Sequence, residues 1–208
     1  MKKKRTELVF ILDKSGSMSG LETDSIGGYN SMLAQQRALT DDCLITTVLF
    51  DNECLLLHDR LKLTKVKDMT HKDYLVGGST ALLDAIGQTI QHMSQVKDAR
   101  NVLFVIITDG QENASRQFTV QTVKRLLEQQ KEAKGWEFIF LGANIDAVET
   151  ASRMGILPDH AADFLSDSEG TQLNYQVIAD TITTYRTSGK LDEQLMDKIR
   201  EDVQQRKH

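Results

Sequence analysis

"LVFILDKSGSMSG", residues 8–20, joins five apolar residues to an aspartate and then to three hydroxyl side chains within six positions. A strand fit for a buried core runs straight into a row of oxygen donors. Four explanations compete for such a row: an ordinary turn, a phosphate cradle, a nucleophile on an elbow, or half of a metal cage. The rest of the chain decides between them.

Apolar runs of the same kind recur along the sequence. "ELVFILD" (7–13), "NVLFVIITD" (101–109) and "WEFIFLGAN" (136–144) are near-continuous, as expected of strands covered on both faces. "CLITTVLF" (43–50) and "CLLLHDRLKL" (54–63) read as a hairpin turning at Asp51–Asn52–Glu53, and "AADFL" (161–165) as a last short strand. Helical patterns fill the intervals. One covers 24–39 with Asp24 as its N-cap, and another covers 79–93 with Leu82, Leu83, Ile86, Ile90 and Met93 on one stripe. Four more cover 118–133, 145–154, 171–187 and 190–205. The alternation predicts an α/β protein with a doubly wound, mostly parallel sheet, one antiparallel strand and helices on both faces. In such sheets the ligand crevice lies at the strand ends where the strand order reverses. Two of the buried strands finish on aspartates, Asp13 and Asp109.

Composition narrows the function. The 208 residues are 40% hydrophobic and 26% charged, enough for a real core in one domain. A formal charge of −5 argues against a general nucleic-acid binder, and the basic ends "MKKKR" and "QQRKH" read as solvated termini. The apolar run after "MKKKRTE" stops at Asp13, too short for a secretory signal, and no stretch approaches the roughly 20 apolar residues that span a bilayer. The expectation is a soluble cytoplasmic protein without membrane or nucleic-acid partners. Cys43 and Cys54 each begin a strand of the hairpin, so they fall at opposite ends of its ladder. At about 3.3 Å per residue that separates them by roughly 20 Å, far beyond the ~7 Å Cα limit of a disulfide. Two free thiols suit a reducing compartment.

Asp13-x-Ser15-x-Ser17 places three oxygen side chains in one tight loop, with Lys14 reading as a solvent-facing spacer. "GGSTALLD" adds Thr80 ahead of a helix, where it would serve as an N-cap or a ligand, and "TDGQEN" adds Asp109. Two carboxylates and three hydroxyls without histidine or thiolate suit Mg²⁺, Mn²⁺ or Ca²⁺ and argue against zinc. A cation held mainly by neutral hydroxyls stays electrophilic and welcomes an acidic side chain from another molecule. No Gly-Lys-Ser/Thr phosphate loop and no Gly-x-Ser-x-Gly elbow is present. Glu112, Asn113 and Ser115 on one rim, and Glu22 and Asp24 on the other, either shape partner choice or are plain solvated loop residues.

"DKSGS", the threonine of "GGST" and the aspartate of "ITDG" together resemble the metal-ion-dependent adhesion site of the von Willebrand factor type A (VWA) family, in a compact bacterial-type form. The resemblance covers about residues 6–165, in the right order and on the expected elements. It implies a Rossmann-like VWA domain over 1–187, with 188–208 as a helical extension. It implies that Ser15 and Ser17 ligate a cation directly, Thr80 and Asp109 directly or through water, and Asp13 mainly through water and surrounding hydrogen bonds. It further implies a divalent-metal-dependent protein-interaction domain, not an enzyme, whose partner presents an Asp or Glu. An ATPase or an assembly factor is the partner class that compact bacterial relatives suggest. The competing function is a metal-assisted hydrolase or phosphotransfer enzyme using bound water.

Overall fold

The structure is a computed structural model that describes residues 5–192 and 194–207. The solvated basic run expected at Met1–Lys4 lies outside the described residues, as do Glu193 and His208. Six strands, β1 (Thr6–Asp13), β2 (Cys43–Phe50), β3 (Cys54–Lys62), β4 (Val102–Thr108), β5 (Glu137–Gly142) and β6 (Ala161–Asp163), form one sheet in the order β3-β2-β1-β4-β5-β6. Every neighbouring pair is parallel except β2–β3, an antiparallel edge hairpin. The α/β architecture read from the apolar runs is the one observed.

β1 is central and buried at all eight positions, which explains its lack of polar alternation. Successive side chains still separate by face. Leu8, Phe10 and Leu12 enter a core with α1 (Glu22–Arg37), α5 (Ser168–Ser188) and α6 (Asp197–Arg206), while Val9 and Ile11 enter a second core with α2 (Leu82–Ser94), α3 (Val120–Lys134) and α4 (Ala147–Arg153). The chain leaves β1 toward β2 and later crosses back to place β4 on the other side. The strand order therefore reverses between β1 and β4, where both terminal aspartates emerge.

Several boundaries differ from the sequence reading. Asp24 is not the N-cap of α1: Leu21 holds that position, and Asp24 lies in the first turn, where an acid complements the free N–H groups. α5 starts earlier than residue 171, because Asp167 caps it by accepting the Gly170 N–H. α6 starts at Asp197, well after Lys190; Gly189 ends α5 at φ 74°, and Asp192 ties the following turn by accepting the Gln194 N–H. The basic ends are also engaged: Arg5 donates to Asp98, and Arg206 pairs with Asp167 and Glu169. The hairpin register sets Cys54 opposite Phe50 and Leu44 opposite Lys62, so the free thiols of Cys43 and Cys54 occupy opposite ends of the ladder. No helix among the described residues is long and apolar enough to cross a membrane.

Helices α1 and α5 meet at two adjacent glycines that behave differently. A Cβ on Gly28 would stand 2.3 Å from the Tyr175 ring, whereas a Cβ on Gly27 would meet nothing within 4 Å. Gly28→Ala should therefore destabilise the domain by about 1–3 kcal/mol through overpacking. Gly27→Ala should stabilise it by about 0.5–1 kcal/mol through helix propensity. Urea denaturation of the two variants beside the wild type measures both.

Candidate metal centre

Asp13 ends β1 with its side chain 1% exposed. The register that pairs Leu12 with Ile107 carries Asp13 alongside Thr108, the last residue of β4. Thr108 Oγ1 donates to Asp13 Oδ2 at 2.6 Å, and the Ser15 N–H donates to Asp13 Oδ1 at 2.7 Å. Both carboxylate oxygens are thus engaged inside the protein. Burial pushes the Asp13 carboxyl up from its ordinary range, against the hydrogen bonds from Ser15 and Thr108; the charge of Asp109 adds to the upward push.

The loop after β1 is fastened on both sides. Lys14 donates its N–H to Phe50 O at 2.8 Å, and its own carbonyl accepts the Gly77 N–H at 2.9 Å. Its ammonium forms an ion pair with Asp51 in the hairpin turn, so Lys14 is a clamp between loops and not the solvent-facing spacer its position suggested. Gly16 donates to Gly78 O at 3.0 Å. Gly78 sits at φ +76°, and a Cβ there would stand 2.6 Å from Asn52 Oδ1, so glycine is required for this approach. The tyrosine hydroxyl of Tyr74 donates to the Asp13 carbonyl from below.

These contacts bring three hydroxyls together. Thr80 Oγ1 donates to Ser15 Oγ at 3.1 Å, and Ser15 Oγ lies 3.1 Å from Ser17 Oγ. Ser15 and Thr80 are buried, and Ser17 opens to solvent. Thr80 does not cap α2; Ala81 holds that position without a side-chain cap, which leaves the threonine hydroxyl free to face the serines. Asp109 follows β4 and is also 1% exposed. Its Oδ2 accepts from Ser166 Oγ at 2.6 Å, while its Oδ1 is buried with no hydrogen-bond partner among the described residues. The next residue, Gly110, passes so close to the hydroxyls that a Cβ would stand 2.9 Å from Thr80 Oγ1 and 3.1 Å from Ser17 Oγ. All five motif positions therefore gather at the point where the strand order reverses.

The rim residues have structural partners. Glu112 accepts from the N–H groups of Leu83, Ala114 and Ser115 and from Ser115 Oγ, tying the 109–119 loop to the first turn of α2. Ser115 Oγ accepts the Asp84 N–H, and Asn113 Oδ1 accepts the Thr80 N–H at 3.0 Å. Glu22 accepts the Gly20 N–H, and Asp24 accepts from Ser168 and Gln172. Thr108 and Ser166 touch the two aspartates but do not stand out in the sequence. Thr108 had a signal, since parallel neighbours ending together place its side chain beside Asp13; Ser166 had none, because it comes from a loop remote in sequence.

An acceptor oxygen left buried and unpartnered is costly, and here it belongs to Asp109, next in the chain to the Gly110 that lies against the Thr80 and Ser17 hydroxyls. Among the described residues no group of three or more His, Cys, Asp and Glu side chains is placed to hold a metal. The donors at this crest are instead hydroxyls with one free carboxylate oxygen, a set that fits a hard divalent cation. The Ser15 hydroxyl faces those of Ser17 and Thr80, and among the described residues no imidazole is a hydrogen-bond partner of either serine hydroxyl.

No protein-family model and no curated protein matches the chain. Solved structures do. A von Willebrand factor type A structure from Catenulispora acidiphila superposes with a TM-score of 0.59 at 14% identity over 86% of this chain. The ArnB paralog VWA2 from Sulfolobus acidocaldarius gives 0.58 at 19% over 84%. The vWF domain of the type V pili tip protein Mfa5 from Porphyromonas gingivalis gives 0.64 at 10% over 90%. The chain spans 42% and 44% of the first two proteins and 98% of the third. At these identities the likeness establishes a VWA-like fold.

Thr108→Val keeps the shape of the side chain but removes the hydroxyl from a buried carboxylate oxygen. The variant should lose about 1–3 kcal/mol of stability in denaturant titrations without added metal. An unchanged midpoint would show that Asp13 does not depend on this bond.

Proposed function

We propose that this crest binds a divalent cation, Mg²⁺ in first place with Mn²⁺ or Ca²⁺ able to substitute, and that the domain uses it to recognise an acidic side chain of a protein partner. The observation that carries the proposal is Asp109 Oδ1, buried without a hydrogen-bond partner among the described residues, one position before Gly110, whose backbone lies against the Thr80 and Ser17 hydroxyls that Ser15 links. Ser15, Ser17, Thr80 and Asp109 would hold the ion, and Asp13 would position the Ser15 loop through the bonds that already occupy both its oxygens. When bound, the cation supplies an electrophilic centre that a partner's carboxylate completes. The chain's own residues keep the donors in place: Lys14 and Asn52 clamp the flanking loops, and Glu112 and Asn113 fix the 109–119 loop.

The VWA-like fold, seen among others in a pilus tip protein, supports an interaction role. Asp or Glu on an ATPase or assembly factor is the partner chemistry this reading favours, and the free thiols of Cys43 and Cys54 suit a reducing cytoplasm as its setting.

Isothermal titration with Mg²⁺ tests the reading. The wild type should bind one equivalent, and Asp109→Ala and Ser15→Ala should weaken binding at least about tenfold, the scale lost when even an outer partner of a metal ligand is removed. Circular dichroism should show both variants folded. Equal affinity in Asp109→Ala would refute the assignment, and Mg²⁺-dependent phosphoester turnover abolished by Ser15→Ala would transfer the site to the enzymatic class.

A further inference from the structure

We infer that Ser166 is a positioning residue of the cation site, a sixth member supplied by the loop between β6 and α5. The inference rests on the cation reading above and extends it to a loop that the five motif positions do not include.

The two aspartates of the crest differ in how their oxygens are used. Asp13 has both oxygens hydrogen-bonded, one to the Ser15 N–H and one to Thr108 Oγ1. Among the described residues Asp109 has one oxygen engaged, Oδ2 with Ser166 Oγ at 2.6 Å, and its Oδ1 stays buried without a partner. A hydroxyl donating to a carboxylate at this distance makes a short, charge-assisted bond that fixes the carboxylate plane. Ser166 thereby holds Asp109 in the orientation that reserves Oδ1 for a ligand. Without the hydroxyl, a carboxylate that is 1% exposed would have no side-chain donor among the described residues to select the oxygen it presents.

The loop carrying Ser166 is held firmly enough to act this way. Phe164 is buried and donates its N–H to Gly142 O at 3.0 Å, continuing the sheet for one residue beyond β6. Asp167 donates to Leu165 O at 2.9 Å and caps α5 through the Gly170 N–H at 2.8 Å. Arg206 of α6 pairs with Asp167 from one side, and Ser168 donates to Asp24 of α1 from the other. Ser166 is thus flanked by residues fixed to the sheet, to α5, to α6 and to α1, and its hydroxyl points at Asp109.

The test is Mg²⁺ titration calorimetry on the full chain, using wild type, Ser166→Ala and Ser166→Thr. Ser166→Ala should bind Mg²⁺ about tenfold or more weakly, as expected when the hydrogen-bond partner of a metal-ligating carboxylate is removed. Ser166→Thr, which keeps the hydroxyl, should restore affinity close to wild type. Melting in EDTA establishes that each variant is folded before titration. Wild-type binding with unchanged or tighter affinity in Ser166→Ala overturns the assignment of Ser166 alone, as does a weakened Ser166→Ala that Ser166→Thr does not rescue. Failure of the wild type to bind Mg²⁺ overturns the cation reading and this inference with it.

Discussion

The Asp13 carboxylate, held between the Ser15 N–H and the Thr108 hydroxyl at the reversal of strand order, is the contact on which the rest of the crest depends. Burying a carboxylate is costly unless its oxygens are hydrogen-bonded, and both oxygens of Asp13 are. One bond turns the chain sharply after β1; the other ties that turn to the neighbouring strand. The position of the serine loop is thereby inherited from the β1–β4 register and not left to loop conformation. Ser15 and Ser17 then face Thr80 because the backbone of 14–16 is bonded on both flanks, to Phe50, Gly77 and Gly78.

A second tier of polar residues holds the other loops. Asp84 accepts the N–H groups of Arg116, Gln117 and Phe118, while Glu112 accepts those of Leu83, Ala114 and Ser115. The loop after β4 and the first turn of α2 are consequently one unit, and Thr80 is tied to it through Asn113 Oδ1, which accepts the Thr80 N–H. Donors fixed in advance lower the ordering cost of taking up a ligand. The hydroxyls and carboxylates at the crest are preorganised by hydrogen bonds that require no ion.

The fold was legible in the periodicity of the sequence, and the candidate site in its spacing. Near-continuous apolar runs ending on Asp13 and Asp109 located the two central strands, because a strand covered on both faces cannot alternate. Asp13, Ser15, Ser17, Thr80 and Asp109 were visible as a set of oxygen donors with no histidine or thiolate. Helix starts were less legible: Asp24 looks like a cap but is a first-turn acid, since Leu21 ends the preceding turn without a capping side chain. Lys14 looks like a spacer but pairs with Asp51, a partner that only the hairpin brings near. Ser166 could not be read at all, because its contact with Asp109 bridges 57 positions and depends on β6 packing against β5.

Anomalous diffraction from crystals soaked in Mn²⁺ tests most directly whether the proposed hard cation sits among these oxygens. Manganese shares the preference of magnesium for octahedral oxygen ligands and scatters anomalously. A single strong peak bounded by Ser15, Ser17, Thr80 and Asp109 is the expected result, with Asp13 outside direct contact. A peak elsewhere in the molecule, or none at saturating Mn²⁺ with the crest open to solvent, would contradict it.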